Sequence, residues 1–224
     1  MATVTVASQT GTGQTLCVGF FERNRKEVIE MGYDGDRLPP GQYLTDRFPV
    51  LHVGDVPTYA PTGQPGAWSL EIFGLVDRPY SLTFEELTSL PNVTLTTDIH
   101  CVTKWSKFDT VWRGVRVSDI LAAAGVQPSA THLMGHAEFG YTANMPLPDA
   151  VRDECLVTWE FDGKPLEPIH GGPVRLLVPH LYFWKSPKWL RGLELIDRDK
   201  PGFWERNGYH MYGDPFLEQR VWGD

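Results

Sequence analysis

Hydrophobic and polar residues alternate along several short stretches of the chain, which is the pattern of half-buried β-strands. The stretch from Trp68 to Val76 shows this alternation. Other short apolar runs lie between turn residues and predict further strands. These strands are Val93 to Ile99, His132 to Ala137, Cys155 to Phe161, Val174 to Val178 and Leu190 to Ile196.

Fewer segments carry the signals of helices. The predicted helices are Glu22 to Met31, Thr83 to Leu90 and Ser118 to Ala124. The first and third are followed by glycine, and the second opens with the capping box Thr-Phe-Glu-Glu. Because strands outnumber helices and do not alternate with them regularly, the predicted fold class is α+β, with mixed sheets and short helices, and not a doubly wound parallel sheet.

The chain of 224 residues is long enough for one large domain with its own core. Residues 32–66 contain six prolines, so this segment is predicted to run extended over a surface. We therefore expect an N-terminal extension with one short helix over residues 1–35, and the main domain over residues 36–224.

Composition excludes several classes of protein. The chain has 20 Lys and Arg against 28 Asp and Glu, a formal net charge of -8, which disfavours nucleic acid as a partner. No apolar run approaches the roughly 20 residues of a membrane span. The N-terminal sequence lacks the basic and apolar regions of an export signal. We therefore expect a cytoplasmic protein without a membrane span.

Positive charge is nevertheless concentrated in residues 163–200, where seven basic side chains stand against four acidic ones. A local net charge of +3 in an acidic chain predicts a site for an anion. The basic residues are Lys164, Arg175, Lys185, Lys188, Arg191, Arg198 and Lys200.

A second phosphate-binding candidate lies near the N-terminus. The loop from Ser8 to Gly13 follows a short apolar run and resembles the phosphate-binding loop of flavodoxins, whose glycines and hydroxyls surround the phosphate of FMN. The proline-rich stretch from Leu38 onward interrupts the βα units that such a fold needs. A small-residue N-terminus without this role is therefore favoured, and a flavodoxin-like FMN-binding electron carrier is the alternative function.

Cys101 is the strongest candidate for chemistry. It follows a predicted strand in the segment DIHCVTKWS, so its side chain is expected to enter a pocket lined by loops. The neighbouring His100 and Lys104 favour the thiolate, which is the form that acts as a nucleophile or soft-metal ligand. A lone cysteine is also often a small buried hydrophobe. These residues alone leave both interpretations open.

Several motifs in the rest of the chain bear on that choice. Residues 170–190, HGGPVRLLVPHLYFWKSPKWL, combine a glycine pair, a strand and a basic aromatic loop. Together with residues 98–121, they resemble the molybdopterin-binding domain of the sulfite oxidase superfamily. The similarity extends through FPVL at 48–51, GYTANMPL at 140–147 and GFWE at 202–205, and covers most of residues 40–220.

This resemblance implies a mononuclear molybdenum centre held by one pterin dithiolene and by one cysteine thiolate, which corresponds to Cys101. It implies that Arg175 and Lys188 bind the phosphate of molybdopterin, the first as a planar fork and the second as a point charge. Tyr141 corresponds to a family tyrosine beside the metal and is the second candidate catalytic residue. The other implied cofactor-binding residues are Arg47, Val50, Leu51, His136, His170, Ser186 and Pro187.

The residues after the cysteine bear on the substrate. Eukaryotic sulfite oxidases have a small residue, Gly, Asn and paired arginines there, whereas Val-Thr-Lys-Trp-Ser follows Cys101, which is closer to the catalytic subunit of bacterial methionine sulfoxide reductase. We expect a stand-alone domain that transfers an oxygen atom to or from a small sulfoxide, N-oxide or sulfite-like oxyanion. An external electron donor or acceptor protein would complete the reaction, and the direction of transfer stays open.

Overall fold

The computed structural model describes residues 13–224, with side chains described from residue 22 onward. The flavodoxin-like loop, Ser8 to Gly13, lies outside the described residues except for its last glycine, which begins a helix. The helices, numbered α1 to α5, are Gly13–Glu30, Phe84–Ser89, Val117–Ala124, Leu147–Ala150 and Phe203–Arg206. The three predicted helices are confirmed, although the first begins earlier than expected.

Eleven strands are found in the described part of the chain, and all six predicted strands are among them. In chain order, β1 to β11 are Tyr43–Leu44, Ser69–Gly74, Tyr80–Thr83, Val93–His100, Trp105–Arg116, His132–Ala137, Thr142–Pro146, Leu156–Phe161, Lys164–Pro165, Arg175–Leu177 and Leu190–Ile196. The longest strand, β5, is absent from the predicted set.

The strands form two sheets. In the first, β1, β5, β8 and β10 are neighbours in that order, while β4 also pairs with β5 and β9 with β8. The second has the order β3-β2-β11-β6-β7. Within the described residues, β1 with β5 and β2 with β11 are the parallel pairs, and the other pairs are antiparallel. This confirms the α+β prediction, and it is not the parallel, doubly wound sheet of a flavodoxin.

The main core joins both sheets and α3 through buried aliphatic side chains, including Leu70, Ile120, Val157, Leu176 and Leu193. A second cluster surrounds Cys101 and is richer in aromatic residues. Its buried members are Ile99, Cys101, Trp105, Trp112, Leu156, Leu166, Leu177 and Phe183. This second cluster carries the candidate site. No helix in the described part of the chain has the length and apolar character needed to cross a bilayer.

The proline-rich segment is largely irregular, as predicted, but it is tied to the first sheet. β1 pairs with the start of β5, where Tyr43 is opposite Trp105. Arg37 binds both carboxylate oxygens of Asp98, with Nε to Oδ2 at 2.9 Å and Nη2 to Oδ1 at 2.7 Å, and it also binds Asp109. The segment is therefore held against β4 and β5, near the point where these strands meet the candidate site.

A buried ion pair fixes the loop after β10. Lys185 Nζ lies 2.6 Å from Glu205 Oε1, and both side chains are fully buried. The same ammonium donates to the side-chain and main-chain oxygens of Asn144 on β7. Trp184 Nε1 donates to Glu205 Oε1 at 2.8 Å. The pair thus joins this loop to β7 and α5.

We expect Glu205→Gln to lower the free energy of unfolding by about 3–5 kcal/mol, because it leaves the Lys185 charge buried without a counter-charge. Asp153→Asn is the matched control, since it neutralises the highly exposed partner of Arg116 and should change stability by less than about 1 kcal/mol. Urea unfolding measures both variants. Similar losses in the two variants would contradict this account of the ion pair.

Candidate active site

A cavity of about 330 Å³ lies at the end of β4, within the size range of small-molecule sites. Of the sequence-predicted site residues, it brings together Leu51, Cys101, Tyr141, Arg175, Ser186, Pro187 and Lys188. Much of the remaining wall is aromatic, with Phe48, Phe183, Trp184, Trp189, Trp204 and Tyr209. Predicted residues from separate parts of the chain therefore meet at one cavity.

Cys101 begins the four-residue turn between β4 and β5, residues 101–104, which we call the Cys101 turn. The turn is closed by the Lys104 N–H, which donates to the Cys101 carbonyl at 3.0 Å. The Cys101 Sγ accepts from Thr103 Oγ1 at 3.2 Å. Burial raises the pKa of the Cys101 thiol, while the Thr103 hydrogen bond and the charge of Arg220 oppose that rise. Of the two cysteines whose side chains are described, only Cys101 lines the cavity.

Two side chains that the sequence did not single out also hold the Cys101 turn. Gln42 Nε2 donates to the Cys101 carbonyl at 3.0 Å, and Arg220 Nη1 donates to the Val102 carbonyl at 2.8 Å. These residues lie 59 and 118 positions away from their partners. No local pattern could have indicated them, because each contact depends on how distant segments fold together.

Arg175, on β10, places a buried cation at the cavity. Its Nη1 donates to the His170 carbonyl at 2.8 Å and its Nη2 to the Ser186 carbonyl at 2.7 Å. The guanidinium carbon lies 4.1 Å from the centre of the Phe183 ring. Burial lowers the pKa of Arg175 to about 9. Carbonyl groups orient this guanidinium, but among the described residues no carboxylate is paired with it.

Lys188 adds a second cation on the same wall. Its Nζ donates to the Ile169 carbonyl at 2.7 Å, and it too has no carboxylate partner within the described part of the chain. Burial, followed by the charge of Arg175, lowers the pKa of Lys188 to about 7. Two neighbouring cations without acidic partners favour binding of an anion, because an anion would relieve both desolvation and mutual repulsion.

The other five basic residues of the segment 163–200 do not line the cavity. Lys185 is paired with Glu205, and Arg191 lies 3.6 Å from Glu138. Ser186 is buried, and its Oγ accepts from the Val178 N–H at 2.8 Å. The anion site predicted from local net charge therefore reduces to Arg175 and Lys188.

Tyr141 lines the cavity, and its ring stacks on Phe203 with centroids 5.5 Å apart. Its hydroxyl donates to the Trp184 carbonyl at 2.6 Å. Burial raises the pKa of Tyr141 well above its usual range, so the phenol stays protonated. Because its one proton is engaged by Trp184, this hydroxyl reaches a ligand as an acceptor unless that bond breaks.

Three predicted cofactor-binding residues lie away from the cavity wall. His136 is on β6, where its Nε2 lies 2.8 Å from Glu194 Oε2. Arg47 and Val50 belong to the loop before Leu51, and Val50 is exposed there. These three side chains are not among those that line the cavity.

His170 is a fourth predicted residue that does not line the cavity. Its ring stacks on Phe48, which does, with centroids 4.0 Å apart. Burial, together with the charges of Lys188 and Arg175, lowers the pKa of His170 to about 4, so its imidazole is neutral. Its buried Nδ1 has no hydrogen-bond partner among the described residues.

Comparison with known proteins identifies the family. Residues 54–204 match the oxidoreductase molybdopterin binding domain. The chain belongs to this family. It is a molybdopterin-dependent oxidoreductase, and its cofactor is molybdenum bound to molybdopterin.

Relatives of this molybdopterin-binding oxidoreductase differ in how much of their length it covers. It is 50% identical over 188 residues to the uncharacterized oxidoreductase YuiH of Bacillus subtilis, covering 84% of this chain and 93% of the relative. It is 28% identical to the protein-methionine-sulfoxide reductase catalytic subunit MsrP of Gluconobacter oxydans, covering 71% of this chain but only 56% of that protein.

A solved structure supports the same fold. The sulfane dehydrogenase SoxCD from Paracoccus pantotrophus is similar with a TM-score of 0.55 and 26% sequence identity. The match covers 63% of this chain and 40% of that chain. The predicted likeness to the sulfite oxidase type of molybdopterin domain is thereby confirmed.

The residues of the cavity fit the cofactor of the family. Cys101 offers one soft sulfur donor, and no group of three or more His, Cys, Asp or Glu in the described residues is arranged to hold a metal ion. One thiolate suits a metal whose other sulfur ligands come from the pterin. Arg175 and Lys188 supply the charge that a phosphate needs, and the carbonyl of His170 is bound to the first of these cations.

Lys188 gives the cleaner test of the anion site, because Arg175 also holds two carbonyls of the fold. In protein prepared without cofactor, the advantage of the wild type over Lys188→Met in affinity for inorganic phosphate should shrink as the pH rises through about 7, where Lys188 loses its proton. The charged amine, which is present below this pKa and absent above it, strengthens binding. Lys188→Met should therefore bind phosphate more weakly than the wild type below about pH 7 and about equally above it.

Isothermal titration from about pH 6 to about pH 8 spans the Lys188 transition. Phosphate changes its own protonation over this pH range in the same way for both proteins. The difference between their phosphate affinities therefore reports the charge of Lys188 alone. Equal pH slopes in the wild type and the variant would contradict the role of this amine.

Proposed function

We propose that the protein catalyses oxygen-atom transfer at a molybdenum centre ligated by Cys101, and that it reduces an uncharged sulfoxide or N-oxide. One observation carries the proposal: a buried thiol and two cations without carboxylate partners in the described residues line the same cavity. A thiol buried only for packing would need neither cation. A phosphate site alone would not need the thiol.

Arg175 and Lys188 would bind the phosphate of the pterin. Arg175 is already oriented by the carbonyls of His170 and Ser186, so little side-chain entropy would be lost when it contacts the phosphate. Ser186 and Pro187 form the adjoining wall. His170 would act through its main-chain carbonyl, which orients Arg175, because its ring lies outside the cavity wall.

When bound, molybdenum supplies the two-electron change that accompanies gain or loss of an oxygen atom. The residues of this chain hold the cofactor, exclude water and shape the space for the substrate. Reduction of a sulfoxide to a sulfide consumes two electrons and two protons and releases water. An external electron donor protein would supply the electrons.

The cavity wall favours an uncharged substrate. The cations that line it are those proposed to contact the cofactor phosphate, while Glu138 adds a carboxylate and about half of the remaining residues are aromatic. An oxyanion such as sulfite would meet Glu138, whose charge is offset only in part by the half-buried Arg191 at 3.6 Å, and no further cation lies on the described wall. The aromatic wall suits the apolar groups of a sulfoxide or N-oxide.

Tyr141 would act at the substrate end of the cavity. Its bond to the Trp184 carbonyl fixes the hydroxyl, so the phenol oxygen is positioned to accept a hydrogen bond. Donation to the substrate oxygen would require a switch away from Trp184.

Steady-state assays test the proposed substrate. With a reduced dye as electron donor, the molybdenum-loaded protein should reduce methyl phenyl sulfoxide or trimethylamine N-oxide. With a dye acceptor, its kcat/KM for sulfite should be at least about tenfold lower, a difference of about 1.4 kcal/mol. Faster turnover of sulfite, or purified protein that retains no molybdenum, would contradict the proposal.

Glu138→Gln provides an internal check of the charge argument. Removal of this carboxylate should raise kcat/KM for sulfite while leaving the values for uncharged oxides within about twofold. Glu194→Gln is the control, because Glu194 pairs with His136 and does not line the cavity.

A further inference from the structure

Two residues outside the family match at residues 54–204 contact the Cys101 turn: Gln42 precedes the matched domain and Arg220 follows it. Gln42 is fully buried, and its main-chain carbonyl accepts a hydrogen bond from Asn24 Nδ2 of α1 at 2.9 Å. Arg220 reaches the turn from the C-terminal side. The turn that carries the candidate ligand is therefore completed by segments beyond the matched domain.

Arg220 joins three segments with one side chain. Besides its bond to the Val102 carbonyl, its Nη2 donates to the Pro40 carbonyl at 3.2 Å. Its guanidinium carbon lies 5.0 Å from the centre of the Tyr182 ring, its Nη2 lies 3.7 Å from Oε1 of the half-exposed Glu218, and the Arg220 side chain is 15% exposed. A Cβ at position 41 would lie 2.6 Å from Glu218 Oε1. Glycine at this position therefore permits the segment of Glu218 and Arg220 to pack closely against residues 40–41.

The C-terminal segment is itself anchored. Val221 pairs with Tyr209, which lines the cavity. The side chain of Asp224 accepts from the N–H groups of Arg220 and Val221 at 2.9 and 2.7 Å. Arg220 is thus held at its own backbone as well as at its guanidinium, which gives the contact to Val102 a fixed geometry.

We propose that Arg220 is a positioning residue, which fixes the orientation of the Cys101 thiolate toward the cofactor and maintains a positive charge beside it. The proposal rests on the function proposed above. A planar guanidinium with several donors can hold two carbonyls at once, which a single ammonium cannot do with the same geometry. Groups that orient a metal ligand and polarise it alter the electronic properties of the metal centre.

The test uses the molybdenum-loaded full chain with Arg220→Met and Arg220→Lys, and with Arg206→Met as a matched control. Arg206 is an exposed arginine of α5 that bonds the Pro201 carbonyl. Five quantities are measured: molybdenum content, the visible sulfur-to-molybdenum absorption band, kcat and KM for the accepted oxide, and hydrogen exchange of residues 101–105.

Arg220→Met should retain molybdenum, shift the absorption band, lower kcat by about 10- to 100-fold with little change in KM, and speed amide exchange in the Cys101 turn. Arg220→Lys should be intermediate in band position and kcat, because lysine keeps the positive charge but lacks the planar group that donates to two carbonyls. Arg206→Met should match the wild type. A role in stability alone would lower the melting temperature without moving the band.

An unchanged band and kcat in folded Arg220→Met would overturn the positioning role. If Arg220→Met does not fold, Arg220→Lys provides the test. A band position and a kcat equal to those of the wild type in Arg220→Lys would also overturn the proposal. Failure of the proposed function is distinguishable because it shows in the wild-type protein itself, which would then lack molybdenum and the absorption band, or would turn over sulfite faster than the oxides.

Discussion

A guanidinium buried without a counter-charge among the described residues is the constraint on which the site depends. Removal of a cation from water is costly, and carbonyl dipoles from His170 and Ser186 compensate Arg175 only in part, since burial still lowers its pKa to about 9. Lys188 on the same wall increases the local positive charge. An anionic cofactor that binds there would remove this penalty, so cofactor binding should stabilise the fold as well as equip it for catalysis.

The protein uses buried charge in two different ways, on β10 and on the loop that follows it. Lys185 is neutralised internally by Glu205 and fixes the loop to β7 and α5. Arg175 and Lys188 have no carboxylate partner among the described residues, so their charges would be neutralised by a bound anion. The first arrangement fixes the position of the loop, and the second would attract an anion to the cavity. Side by side, they would hold the proposed anion site in a fixed position relative to Cys101, which lines the same cavity at the end of β4.

Local patterns predicted much of the fold, because strands with one buried face alternate visibly and caps mark the helices. The strand β5 was missed because charged residues such as Lys107, Asp109 and Arg113 break its apolar positions into short pieces. The placement of Cys101, Arg175 and Lys188 at one cavity could be predicted because a known motif surrounds them.

Other parts of the site could not be predicted from local sequence. Gln42 and Arg220 contact the Cys101 turn only through tertiary packing, across long separations in the chain. Likewise, local charge could not show that Lys185 is neutralised by Glu205, because the two residues meet only when α5 packs against the loop.

The most direct test of the account is the visible absorption of molybdenum-loaded Cys101→Ser beside Cys155→Ser. Cys155 is a buried thiol that donates to the Asp149 carbonyl at 3.2 Å and lies outside the cavity wall, so it controls for loss of a buried sulfur. The account predicts that the cysteine-to-molybdenum charge-transfer contribution disappears, together with oxygen transfer, in Cys101→Ser alone. Survival of that contribution in Cys101→Ser, or its loss in Cys155→Ser, would contradict the assignment of Cys101 as the metal ligand.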